Sequence, residues 1–111
     1  MNWFSWLKRE PVGVYWDEHE VRCRYFLGKW RRLAWRDLQE VICETTDKGP
    51  LQDDLIWHLI GKAALIKIPS EMPGAQLLLG KLQGLPGFDN HAAMDAAACT
   101  ENRRFLCWKR G

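Results

Sequence analysis

The spacing of apolar residues in this chain changes from strand-like to helical at Pro69, and that change restricts the fold more than any other feature of the sequence. Upstream of it, apolar residues alternate with polar ones or gather in short runs, the marks of half-buried and fully buried strands. Downstream, Ala75, Leu78, Leu79 and Leu82 recur at i, i+3, i+4 and i+7, which places them on one face of a helix. Strands followed by helices, rather than strands alternating with helices, predict an α+β domain built mostly on antiparallel sheet.

Six strands are expected before Pro69. Val12 to Trp16 and Glu20 to Tyr25 flank the polar Asp17-Glu18-His19, a hairpin signal. In the second run Val21, Cys23 and Tyr25 share one face while Glu20, Arg22 and Arg24 share the other. Strand-like residues resume after Gly28 from Trp30 to Trp35, bend at Asp37-Leu38 and continue from Glu40 to Thr46. Asp47-Lys48-Gly49-Pro50 is a strong turn signal. Leu55 to Ile60 and Ala63 to Ile68 flank Gly61-Lys62, whose spacing predicts a two-residue turn with glycine first. A helical reading of Asp53 to Ile60 stays open, because so short an apolar run does not discriminate.

Beyond Pro69, Pro73 suits the first turn of a helix that Gly84 ends. Leu85-Pro86-Gly87-Phe88-Asp89 then reads as a rigid connection, with Phe88 buried and Asp89 capping a second helix that runs to Ala98. The final run, Arg104 to Lys109, is apolar on both faces and predicts a strand inside the sheet or beneath the helices. At the other end, Trp3, Phe4, Trp6 and Leu7 precede Pro11, which predicts a short aromatic helix over residues 1–10 lying on the domain, or an exposed arm.

A chain of 111 residues suits a single domain, 1–111, large enough to hold together without disulfides or a metal. Lys and Arg number 16 against 14 Asp and Glu, a net charge of +2 that is too slight to drive strong nonspecific nucleic-acid binding. No apolar run reaches the 18 or so residues of a membrane span, and Met1 to Arg9 lacks the layout of a signal peptide, so the expected location is cytoplasmic. Cys23, Cys43, Cys99 and Cys107 form no Cys-x-x-Cys pair and read as small buried hydrophobes, so no metal or cofactor is expected.

Two clusters resemble sites. From Glu44 to Asp54, carboxylates and two threonines surround a tight loop; hard cations favour such oxygens, yet the spacing is not that of an EF-hand and the same residues build ordinary turns. Asp47, Asp53 and Asp54 are therefore kept as candidate partner contacts. Arg22, Arg24, Arg31 and Arg32, with Trp30 among them, form the second cluster, suited to phosphates, stacked bases or an acidic protein. His19, His58 and His91 share no spacing, and no nucleophile or phosphate-loop motif is present, so no enzyme is expected.

Trp35-x-Asp37-Leu38-x-x-Val41, Thr45-Thr46-Asp47-x-Gly49-Pro50, Ile68-Pro69, Leu85-Pro86-Gly87-Phe88-Asp89 and Phe105-x-x-Trp108 together resemble the pattern of a family of small uncharacterised proteobacterial proteins. The resemblance runs from about Val12 to Trp108 and implies a bacterial origin but no reaction. More loosely, strands followed by the Trp-x-Asp-Leu-x-x-Val step and a later helix are similar to bacterial pleckstrin-homology-like domains, although helices ahead of a final strand depart from that order. The function expected is a non-enzymatic protein-interaction module, with immunity-type or accessory proteins as one subclass. The alternative is a phosphate, lipid-headgroup or nucleic-acid binder acting through the basic aromatic strand face. A contiguous patch of Arg22, Arg24, Arg31 and Arg32 would favour that alternative, and dispersal among carboxylates would disfavour it.

Overall fold

A computed structural model describes residues 11–25, 28–47 and 55–111. The aromatic segment 1–10, and with it the expected short helix or arm, lies outside the described residues, as do Asp53 and Asp54. The elements in chain order are β1 (Pro11–Trp16), β2 (Glu20–Tyr25), β3 (Trp30–Ala34), β4 (Leu38–Thr45), β5 (Leu55–Gly61), β6 (Leu65–Pro69), α1 (Ala75–Gln83), α2 (Asn90–Ala98) and β7 (Arg103–Lys109).

These strands form two antiparallel sheets, one in the order β1-β2-β3 and one in the order β6-β5-β4-β7. The expected α+β domain, mostly antiparallel with two helices in its C-terminal half, is therefore present. The first hairpin closes where the sequence placed its polar tripeptide: the Asp17 carboxylate accepts from the His19 N–H at 2.8 Å and the Glu20 N–H at 3.0 Å. Both backbone donors favour the charged carboxylate, so the Asp17 pKa lies below its ordinary value. Between the sheets a 3-10 turn, Trp35–Asp37, ends the third strand one residue before the expected limit.

Val14, Val21, Cys23 and Leu33 from the first sheet meet Val41, Cys43, Trp57, Leu59, Ile66 and Ile68 from the second in one core. The helices join that same core, through Ala75, Leu78 and Leu82 of α1 and Ala96 of α2. The predicted stripe on the first helix is thus its buried face. The first sheet and both helices consequently cover a single side of the four-stranded sheet.

Several local expectations give way to tertiary contacts. Leu55–Gly61 is a strand, paired with β4 on one side and β6 on the other, which closes the helical alternative. Gly61 is not in a two-residue turn; it ends β5 opposite Leu38, and β6 begins only at Leu65. Its requirement is space, since a Cβ there would collide with the Leu33 side chain where the two sheets meet. Pro73 stands outside α1, whose N-cap is Gly74 at φ 91°. A Cβ on Gly74 would lie 2.5 Å from the Val14 carbonyl oxygen, so the start of the helix presses directly on β1.

β7 lies at the edge of the sheet, paired only with β4. Its two apolar faces have another cause: a register shift between Val41 and Ile42 leaves Cys107 and Trp108 adjacent and both buried. The connection between the helices matches expectation. Phe88 is buried, Gly87 has φ 85°, and the Asp89 carboxylate accepts from the Ala92 N–H at 3.0 Å. The Trp108 indole N–H donates to the Pro86 carbonyl at 2.8 Å and ties that connection to β7.

Candidate functional site

Pairing in the first sheet produces two cross-strand rows on the face turned away from the core. Tyr15 lies opposite Arg22, which lies opposite Arg32; Gly13 lies opposite Arg24, which lies opposite Trp30. With no side chain of its own, Gly13 leaves room for the Tyr15 ring: a Cβ there would be 3.2 Å from the phenol oxygen. Tyr15 and Trp30 meet with ring centroids 5.7 Å apart and planes tilted by 50°. They remain 46% and 47% exposed, so a preformed aromatic pair stands half open to water.

Charge on this face is unevenly neutralised. Glu20 accepts a short hydrogen bond of 2.6 Å from Arg32, and the Arg22 Nε lies 3.5 Å from the same carboxylate oxygen. That second contact is an ion pair without hydrogen-bond alignment, and the Arg22 Nε is shielded from water with no hydrogen-bond partner. Arg24 is exposed and makes no ion pair among the described residues. Three guanidinium groups and one carboxylate therefore share the face.

Arg31 faces the other way. Its Nη1 donates to the Leu65 carbonyl at 2.9 Å and its guanidinium lies 5.8 Å from the Tyr25 ring centre, so it fastens β3 to β6. The four arginines grouped by sequence thus separate into three on the outer face and one between the sheets.

Beside the aromatic pair, along the outer edge of β1, a shallow groove of about 450 Å³ runs between Tyr15, Trp16 and Arg22 on one wall and Pro73, Gly74 and Leu77 on the other. The Val14 N–H donates to the Pro73 carbonyl at 3.3 Å, so the middle of this edge is occupied and an added strand has no continuous row to pair with. Leu77 is 74% exposed at the rim. Comparison with family models, curated proteins and solved structures gives no match to this chain.

The acidic loop is structural where it is described. Thr45 is buried, and its hydroxyl bonds to the Glu101 carbonyl and the Arg103 N–H. Asp47 is exposed, and its backbone N–H donates to the Asn102 side chain at 3.2 Å. Among the described residues no group of three or more His, Cys, Asp or Glu side chains is placed to hold a metal ion.

The histidines occupy three separate places. His19 and His91 are exposed beside Glu18 and Asp95, whereas His58 is buried with its Nε2 3.0 Å from the Glu44 carboxylate. Burial alone raises the Glu44 pKa, but the hydrogen bond and charge of His58 together with Arg104, 3.4 Å away, outweigh it and hold the carboxyl below its ordinary value. Loss of water around the thiolate pushes Cys23 and Cys43 up to about 12 and Cys107 up to about 11. These three thiols pack as apolar groups, as expected, and Cys99 is half-buried.

Sequence reasoning singled out Trp30 and the arginines but passed over Tyr15 and Leu77. Tyr15 carried a usable signal, since it alternates with Val14 and falls on the polar face of the first hairpin. Leu77 lies off the buried stripe of α1, but nothing local places it beside β1.

Proposed function

We propose that this chain is a non-enzymatic protein-interaction module, of the immunity or accessory kind, that docks a protein partner on the outer face of β1, β2 and β3. The observation that carries this reading is the half-open Tyr15–Trp30 pair with Arg22, Arg24 and Arg32 around it. Tyr, Trp and Arg dominate the energetics of protein interfaces, because they combine large contact area with directional polar groups. The adjoining groove, with Leu77 at its rim, supplies an apolar recess for a partner side chain. The excess of arginine over carboxylate favours an acidic partner surface.

The turn of Arg31 toward Leu65 and the pairing of Glu20 with Arg22 and Arg32 weigh against a phosphate, headgroup or nucleic-acid ligand, which would gain from an unbroken cationic patch. In the same reading the chain works in a bacterial cytoplasm and belongs with the proteobacterial proteins its motifs resemble. Among the described residues no helix is long and apolar enough to cross a membrane. The two sheets with helices against one side are compatible with a pleckstrin-homology-like ancestry, modified by the helices ahead of β7. Asp47, which follows β4, is a second candidate contact, to which the sequence adds Asp53 and Asp54 from outside the described residues.

Affinity capture from the native cytosol with the intact chain, Trp30→Ala and Arg24→Glu tests this reading. A saturable protein partner is expected, with binding weakened about 30-fold or more by Trp30→Ala if the ring is an interface anchor. Failure to find a saturable partner, or equal affinity for all three proteins, refutes it. Salt-sensitive binding to anionic vesicles or nucleic acid at low ionic strength, lost in Arg24→Glu, would establish the phosphate reading instead.

A further inference from the structure

The groove beside β1 holds an arginine whose hydrogen-bonding capacity is unspent. The Arg22 side chain is only 33% exposed, and none of its guanidinium N–H groups makes an aligned hydrogen bond among the described residues. Its ion partner Glu20 already accepts the short bond from Arg32, and meets the Arg22 Nε with that same oxygen at 3.5 Å, out of line. Arg24 is a different case, because it is exposed and water serves its nitrogens. A mostly covered guanidinium without bonds is costly to hold, and a ligand that supplies them recovers that cost.

The surroundings of Arg22 define what such a ligand must carry. Among the described residues that line the groove Arg22 is the one charged group, and Tyr15, Pro73 and Leu77 make the rest of its surface mostly apolar. Val14 turns its N–H to this outer edge, and by strand alternation Trp16 turns its own N–H and carbonyl the same way, with no backbone bond to another described element. One main-chain donor and acceptor beside an apolar recess and a cation suit a peptide better than a free small anion. Two residues of extended chain span about 7 Å, roughly the width of a compartment of about 450 Å³.

We infer that this groove reads a segment of the partner protein in which an apolar side chain stands within about two residues of an aspartate or glutamate. The apolar side chain seats between Tyr15 and Leu77, and the carboxylate takes the free N–H groups of Arg22. This rests on the protein-interaction reading and names the partner sequence that the face selects. A carboxylate fits better than a phosphate for two reasons. Its two oxygens match the guanidinium fork, and its single charge tolerates Glu20 next to Arg22, where a phosphate dianion would be repelled. Arg22 is in this sense the specificity-determining residue, and Arg32, spent on Glu20, is its support.

Selection of a displayed library of random short peptides against the intact chain tests this without knowledge of the natural partner. Enriched clones should carry an apolar residue close to an acidic one. Their binding should fall about tenfold or more in Arg22→Gln, the loss expected for a charge-assisted hydrogen bond, and fall also in Leu77→Ser, a change at an exposed rim position that spares the core. Arg22→Lys should not restore it, because an ammonium lacks the fork. Urea unfolding of each variant confirms that it is folded. No enrichment, enriched clones without an acidic residue, or equal binding by Arg22→Gln overturns the inference. Displacement of the selected clones by inorganic phosphate overturns it in favour of an anion site. A native partner that is lost in Trp30→Ala but held equally by Arg22→Gln would sink this inference while leaving the interaction reading in place, whereas absence of any native partner sinks that reading by itself.

Discussion

Replacing Thr45 tests whether the Thr-Thr-Asp stretch is scaffold or site. Its side chain is 1% exposed, and its oxygen bonds to the Glu101 carbonyl at 2.5 Å and accepts from the Arg103 N–H at 3.0 Å. Thr45→Val keeps the shape and removes both bonds, leaving a carbonyl and an N–H without partners. Each such loss costs about 1–3 kcal/mol when the group is buried. Glu101 and Arg103 are themselves exposed, so water reaches part of the freed backbone and the lower half of that range applies. Burying a methyl in place of the hydroxyl returns about 1 kcal/mol, so a net loss of about 2 kcal/mol is expected. Thr45→Ser keeps both bonds and loses one methyl, for about 1 kcal/mol. Urea unfolding followed by tryptophan fluorescence should therefore rank the chains native, Ser, Val, with a common slope. If valine proves as stable as serine or more so, the hydroxyl pins nothing and Thr45 only fills space.

Phe88→Ala should cost about 3–5 kcal/mol, whereas Asp89→Ala should cost about 0.5–2 kcal/mol through its lost cap, both read by thermal unfolding. Partner affinity of the folded protein should be unchanged by either; lost binding at an unchanged melting temperature would move this connection into the functional surface. With thiols held near 11 and 12 by burial, Cys23, Cys43 and Cys107 should resist a thiol reagent at pH 8 while Cys99 reacts, and all four should react in urea. Rapid labelling of any of the three in the native protein would contradict their packing. Because the folded Glu44 pKa lies below its ordinary 4.5, its contribution to stability is present above that value and is lost as pH falls through the lower folded value. The urea midpoint of the native chain should consequently fall more steeply on acidification below pH 5 than that of Glu44→Gln; parallel curves would mean that the contact with His58 and Arg104 carries no net stability.

Local chemistry was legible wherever it depends on neighbours along the chain. Alternation in Glu20 to Tyr25 comes from the period of an extended backbone, and it assigns Val21, Cys23 and Tyr25 to the opposite side from Arg22 and Arg24 before any partner is known. The stripe through Ala75, Leu78 and Leu82 and the turn chemistry of Pro86, Gly87 and Asp89 are local in the same sense, and all hold in the fold. What the chain could not announce depends on strands meeting across long sequence separations. Arg31 and Arg32 are adjacent, yet one binds Leu65 and the other Glu20, because the core claims the side of β3 that carries Leu33. Gly61 looked like a turn until Leu33 arrived from another sheet and needed the volume of its missing side chain. The run at β7 was expected inside the sheet or beneath the helices; it lies at the edge beside β4 with α2 packed against it, and a register shift turns both Cys107 and Trp108 inward. The Tyr15–Trp30 pair exists only because two hairpin registers place Gly13 beside Arg24 and Arg24 beside Trp30. Register follows from which faces are buried against which, a property of the assembled core that no single segment carries.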